Sequence, residues 1–292
     1  MTRWSSTTTA ALAALTFSSL PTALAATKSP GCGKEATMTS PNAYNLTINE
    51  KTRYYYLNVP ENYDNSHAYK LIFTFHALGG TAFQVRGGIG EYLPWYGLPE
   101  QDTNNSAIYI APDGLNTNGM TGWPNEGGED LALVDKIIKT VEADLCIDQE
   151  HRYSTGFSYG GAMSGAIACD RADDFKAVAV LSGAELSGCE NGTTPIPYYG
   201  QHGVNDTVLP PELGRELRDK FVKNNGCDAA EPEEPDIGSG IHIRTEYKNC
   251  DYPVTWVAFD GPHSAKYTDV GVEKSFSPEE TWRFFEKFPQ EA

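Results

Sequence analysis

Three consecutive stretches near the middle of the chain restrict its fold more than any others. Residues 129–145, EDLALVDKIIKTVEADL, put apolar side chains at Leu131, Leu133, Val134, Ile137, Ile138 and Val141, the spacing of one face of an amphipathic helix. Residues 151–157, HRYSTGF, read as a strand, and 159–170, YGGAMSGAIACD, as a second helix. A continuous apolar run, KAVAVLSG at 176–183, then reads as a buried strand. Strands separated by helices pair in parallel, through crossovers that cover the sheet. The pattern extends both ways. RYYYLNV, KLIFTFHAL and AIYIAP read as strands before it. After it come IPYYGQHG (strand), PELGRELRDKFVKNN (helix), IHIRTEY and YPVTWVAF (strands) and SPEETWRFFEKF (helix). The expected fold class is α/β: a mostly parallel sheet with helices on both faces, as a single domain over residues 26–292. No internal repeat or Ser/Thr/Pro-rich linker is seen, so no carbohydrate-binding module is expected.

The beginning of the chain carries the pattern of a secretory signal peptide over residues 1–25. Arg3 supplies the positive start, residues 10–17 an apolar run too short to span a bilayer, and Ala23-Leu24-Ala25 a small-residue cleavage site. Six cysteines, Cys32, Cys146, Cys169, Cys189, Cys227 and Cys250, follow it with neither CxxC nor zinc-finger spacing, so disulfides in a secreted, extracellular protein are expected, with no metal. The expected pairs are Cys227–Cys250 across an acidic loop, Cys146–Cys169 between two helix ends, and Cys32–Cys189 by elimination. Asn45, Asn104 and Asn191 head sequons in polar stretches and are candidate glycosylation sites. The formal charge of −17 and the lack of a basic cluster speak against nucleic acid and anionic membranes as partners. A monomer is the default expectation.

Between the central strand and helix lies GFSYGG. Gly156-x-Ser158-x-Gly160 has the form of a nucleophile elbow, a sharp strand-to-helix turn whose small residues let backbones approach. In a parallel sheet, function collects at the carboxyl ends of the strands. Asp206 lies just beyond IPYYGQHG, and His263 just beyond YPVTWVAF, giving the Ser…Asp…His order of α/β-hydrolases. The serine needs a neutral imidazole to take its proton, and the imidazole needs a carboxylate to fix its tautomer. His242, in the alternating IHIRTEY, reads as part of a strand's polar face. His67 and His151 lie away from these loops, and His202 reads as bracing the acid's loop. Asp260 is the alternative acid, beside the histidine loop. The oxyanion donors are expected at the backbone N–H of Tyr159 and, in the HALGGT loop, of Leu78, with Ala77 close behind. A fourth sequon starts at Asn205, beside the acid; if Asp206 is catalytic, Asn205 should carry no glycan.

FTFHALGGT, APDGLNTNGMTGW, DLCID, TGFSYGGAMS, YYGQHGVND and FDGPH together resemble the fungal feruloyl esterases of carbohydrate esterase family one, in the stand-alone type B form. The resemblance covers nearly all of the chain after the leader. It implies an α/β-hydrolase fold, secretion, and a serine esterase that releases ferulic and related hydroxycinnamic acids from plant cell-wall xylan or pectin. It places the triad at Ser158, Asp206 and His263. No cofactor is expected. The same fold serves acetylxylan esterases and extracellular polyester depolymerases, and a catalytically silent carbohydrate-binding protein is the alternative of another class. A flat acyl group calls for aromatic walls. Trp95, Tyr96, Trp123 and Tyr159 are the candidates, with Trp95 and Trp123 foremost; packing within the domain is the alternative for each. Asp130 reads as a structural helix cap.

Overall fold

The computed structural model describes residue 1 and residues 27–117, 119–189 and 192–290. The rest of the expected leader, and Asn191, lie outside the described residues.

The strands are β1 (Ala43–Ile48), β2 (Lys51–Asn58), β3 (Tyr69–Phe75), β4 (Ala107–Pro112), β5 (Leu115–Thr117), β6 (Met120–Gly122), β7 (Ile147–Phe157), β8 (Ala177–Leu181), β9 (Tyr198–Gly203), β10 (His242–Glu246) and β11 (Val254–Phe259). The helices are α1 (Ala82–Gly87), α2 (Leu98–Gln101), α3 (Glu129–Asp144), α4 (Tyr159–Asp170), α5 (Pro211–Asn224) and α6 (Ser277–Phe285). Nine strands form one sheet in the order β1-β2-β4-β3-β7-β8-β9-β11-β10. Its centre, from β4 to β11, is parallel. The edges are antiparallel. β1 is joined to β2 by Asn49 and Glu50, both at positive φ, as a two-residue hairpin turn needs.

Alternation along each central strand sends neighbours to opposite faces. Leu71, Phe73 and Phe75 of β3 join a core with Leu133, Ile137 and Val141 of α3, Met163 and Ile167 of α4, and Leu217 and Phe221 of α5. Ile72, with Tyr153 and Phe157 of β7, faces a second core shared with Val85 of α1, Leu98 of α2 and Phe284 of α6. Each such side chain, buried on both sides of the sheet, stabilises the fold by about 1.5–3 kcal/mol. The two-faced covering is why β4 and β8 read as apolar runs, and why β3 is interrupted only by Lys70 and Thr74.

The disulfide expectations hold at one pair and fail at two. Cys227 bonds Cys250, but Cys32 bonds Cys146 and Cys169 bonds Cys189. The chain before β1 lies against the α3–β7 junction, where Ser29 N–H donates to Ile147 O and Gly31 N–H to Glu142 O. That contact, invisible to local pattern, brings Cys32 to Cys146. Cys169, in the last turn of α4, then meets the loop that follows β8.

Candidate active site

Four loops at the carboxyl ends of β3, β7, β9 and β11 meet on one rim of the sheet. The shortest is the turn at Ser158 itself, at φ 57° and ψ −117° between β7 and α4. A non-glycine residue holds such a backbone only when its surroundings over-determine it. Here the Ser158 N–H donates to Leu181 O at 2.9 Å and its carbonyl accepts from Ala162 N–H at 2.9 Å. Two glycines make the turn possible. A Cβ on Gly156 would strike the Gly160 carbonyl, and a Cβ on Gly160 would strike the Phe75 carbonyl oxygen. The residue is nearly buried and opens the first turn of α4, where unpaired N–H groups favour developing negative charge.

Asp206 is buried beyond β9. Its Oδ1 accepts from the backbone N–H of Val208 (2.8 Å) and Leu209 (2.9 Å). Its Oδ2 meets His263 Nδ1 at 2.6 Å and His202 Nε2 at 3.2 Å. Burial pushes the Asp206 carboxyl up, but the hydrogen bonds from His202 and His263, and those from the backbone, outweigh it and hold the pKa well below the usual range. The acid is therefore a carboxylate at any working pH. With Nδ1 bound to it, His263 has Nε2 left as the basic nitrogen. The imidazole also packs on the Phe157 ring, 4.6 Å away.

His202 braces the loop as its position suggests, with Nε2 also 2.9 Å from Leu209 O. Asp260 is a joint: its Oδ1 accepts from Asn205 Nδ2 (2.8 Å) and its Oδ2 from Gly240 N–H (2.7 Å). The Asn205 amide is thus already engaged inside the protein. His242 pairs with Asp269 at 2.7 Å and stacks on Phe276, in neither case part of the cleft lining.

In the loop after β3, Ala77 N–H donates to the Tyr92 hydroxyl, Gly79 N–H to Thr121 O and Gly80 N–H to Ala77 O. Among the described residues, the Leu78 N–H has no such partner. His76 anchors this loop from below. Its Nδ1 lies 2.7 Å from Ala77 O and its Nε2 accepts from Gly114 N–H at 2.9 Å, which assigns the neutral Nδ1–H tautomer. Burial pushes its pKa down to about 4, against the bond to Ala77 O, with the Arg53 charge adding to the drop.

These loops border one open cleft of about 770 Å³, lined by Ser158, Tyr159, His263 and Leu78. Its walls include Ile89, Tyr92, Phe157, Leu186 and Val208. Trp95 and Trp123, expected at the substrate, are not among the lining residues. Trp123 is fully buried, edge-on to Phe75, and its Nε1–H donates to His76 O at 2.7 Å. Trp95 packs in the second core against Tyr109. An indole in a short loop buries more apolar surface inward than a cleft wall offers, and packing wins. The aliphatic walls were missed. The sequence offers only apolar Leu186 and Val208 in the loops after β8 and β9; that they stand 45% and 64% exposed at the cleft is decided by the fold. Asp130, buried, accepts from Arg53 Nη2 at 2.7 Å and from Asn125 N–H at 2.8 Å, holding the loop behind Trp123.

Comparison with known proteins places this geometry among relatives. No protein-family model matches the chain. It is 50% identical over 274 residues, 94% of this chain and 96% of the other, to a probable feruloyl esterase C of Aspergillus terreus. It is 45% identical over 283 residues, 94% and 95% of the two chains, to feruloyl esterase D of Neurospora crassa. Among solved structures, an acetyl xylan esterase from Aspergillus awamori superposes with a TM-score of 0.60 at 17% identity, over 84% of this chain and 99% of that one. A ferulic acid esterase superposes at 0.54 and 14% identity, over 77% and 91%. At such identities the two structures speak for the fold alone, an α/β-hydrolase sheet. The relatives in sequence carry the family: this chain belongs to the fungal feruloyl esterases.

Proposed function

We propose that the protein is a secreted serine esterase that releases ferulic and related hydroxycinnamic acids from ester linkage to plant cell-wall polysaccharide, with Ser158, His263 and Asp206 as its triad. The observation that carries this reading is the open apolar cleft bordered by both the Ser158 elbow and an imidazole whose Nδ1 is held by a buried carboxylate. His263 Nε2 takes the Ser158 proton as Oγ attacks the ester carbonyl. The developing oxyanion is met by the N–H groups of Leu78 and Tyr159. His263 then protonates the departing sugar alcohol, leaving an acyl-enzyme, and activates the water that releases the acid. Asp206 stabilises the imidazolium without taking the proton.

The cleft also favours the acyl class. A volume of about 770 Å³ with Phe157, Leu186 and Val208 on its walls suits a flat phenylpropenoyl group better than acetyl. Three disulfides accord with export to an oxidising compartment. Asn45 and Asn104 are exposed and remain the sequons proposed to carry glycans, together with Asn191.

The test compares release of acid from methyl ferulate, methyl caffeate and acetylated xylan, with Ser158→Ala alongside. Hydroxycinnamate release that disappears in Ser158→Ala is the expected result. Acetate release alone would keep the serine mechanism and remove the feruloyl assignment. Unimpaired turnover by Ser158→Ala would remove the nucleophile.

A further inference from the structure

Trp95 (φ 51°, ψ 37°) and Tyr96 (φ 59°, ψ 23°) are consecutive non-glycine residues in the left-handed region, within a single turn over Pro94–Gly97. Each costs free energy there and persists only because its surroundings offset that cost. The Tyr96 side chain shows what it gains. Its buried hydroxyl donates to Phe75 O at 2.6 Å and accepts from Phe157 N–H at 3.0 Å. Phe75 and Gly156 are the last register pair between β3 and β7. Beyond them β3 leaves as the loop of Leu78 and β7 turns into the Ser158 elbow. The hydroxyl stands where the next rung of the ladder would be, bridging two strand ends that have begun to part.

Tyr92, four residues earlier, packs edge-on to Tyr96 with ring centres 5.7 Å apart. Its own hydroxyl accepts the Ala77 N–H at 2.9 Å. One short segment therefore holds the carbonyl of Phe75, the N–H of Ala77 and the N–H of Phe157. These groups flank the two places where the oxyanion would be bound and formed. The segment is tied as well to the loop of His263, through Lys266 Nζ donating to Gly90 O at 2.5 Å.

We propose that Tyr96, assisted by Tyr92, is a positioning residue that sets the separation between the Leu78 N–H and Ser158; this rests on the esterase reading above. A phenyl ring at 96 would fill the same space but leave a carbonyl and an N–H buried without partners. The strand ends relieve that by closing on each other or drifting apart, and either movement displaces Leu78 from Ser158. A misplacement of about 1 Å costs about 100-fold in rate. The loss falls on kcat, because the oxyanion contacts strengthen only as the tetrahedral state forms. KM changes little, because the Ile89, Leu186 and Val208 walls stay in place.

The experiment measures methyl ferulate turnover by the parent, Tyr96→Phe and Tyr92→Phe. Competent sites are counted by carrying phosphonate labelling of the serine to completion. The expected result is a kcat per labelled site about 10- to 100-fold lower in Tyr96→Phe, a smaller loss in Tyr92→Phe, and KM within about twofold. A kcat per labelled site in Tyr96→Phe within about twofold of the parent overturns the proposal. So does a deficit that appears wholly as fewer labelled sites, since the hydroxyl then serves folding alone. If Tyr96→Phe does not fold, Tyr92→Phe decides by the same criterion. A parent inactive on methyl ferulate removes the esterase reading and the proposal with it, whereas an active parent with an unimpaired Tyr96→Phe removes the proposal alone.

Discussion

Acidification should loosen the loop of Leu78 through one side chain, His76. Both of its ring nitrogens are committed in the neutral form, Nδ1–H to Ala77 O and Nε2 to the Gly114 N–H. A second proton has to go on Nε2, where it would face a donor instead of an acceptor, inside a fully buried site. The folded pKa is thus pushed from 6.5 down to about 4. Because the unfolded chain binds this proton first, the contribution of neutral His76 is fully present above about pH 6.5 and is lost as pH falls through about 4. At about 1.4 kcal/mol per pH unit, that amounts to about 3 kcal/mol between pH 7 and pH 4. The assay is urea unfolding of the parent and of His76→Gln at both pH values. The variant starts lower, having lost at least one buried hydrogen bond, but has nothing to titrate at this position. Carboxylates whose pKa values are lowered by folding, among them Asp148, Asp206 and Glu246, also cost stability in acid. They are common to both proteins and cancel in the difference. The parent should lose about 3 kcal/mol more than the variant. Equal losses would refute the argument, and would mean that the site admits water or opens before His76 protonates.

Two further outcomes follow from the site. Asp206→Asn keeps an oxygen for the Val208 and Leu209 N–H groups but presents an amide to His263 Nδ1 or forces the other tautomer; kcat on methyl ferulate should fall about 10³–10⁴-fold with the melting temperature lowered only modestly. Activity retained within tenfold would exclude this carboxylate as the partner of the histidine. Gly160→Ala drives a methyl into the Phe75 carbonyl oxygen, so stability should fall by more than about 2 kcal/mol and methyl ferulate turnover should collapse; an unperturbed unfolding curve would show that the elbow is looser than its contacts imply.

What was legible in the sequence was local. The 3-and-4 spacing of α3, the apolar run of β8 and the glycines around Ser158 each follow from the period or the crowding of one segment with its immediate neighbours. The placement of Asp206 and His263 in loops on the Ser158 rim also needed no contact information. Parallel strands point their carboxyl ends the same way, so knowing that β7, β9 and β11 are parallel suffices. β1 escaped because AYNLTI is an exposed antiparallel edge with one buried residue, and half-polar edges carry little pattern. Everything that depended on which distant surfaces touch was decided by tertiary structure. Cys32 reaches Cys146 only because the chain before β1 lies on the end of α3. Trp123 turns inward because Phe75 and the His76 carbonyl offer its ring and its N–H partners that the cleft does not. The cleft walls come from loops after different strands, each apolar residue unremarkable alone. The Tyr96 bridge likewise exists only once β3 and β7 have paired and begun to part. Periodicity reports the environment of a segment, whereas a site is a meeting of segments, and the packing that makes them meet is a property of the whole chain.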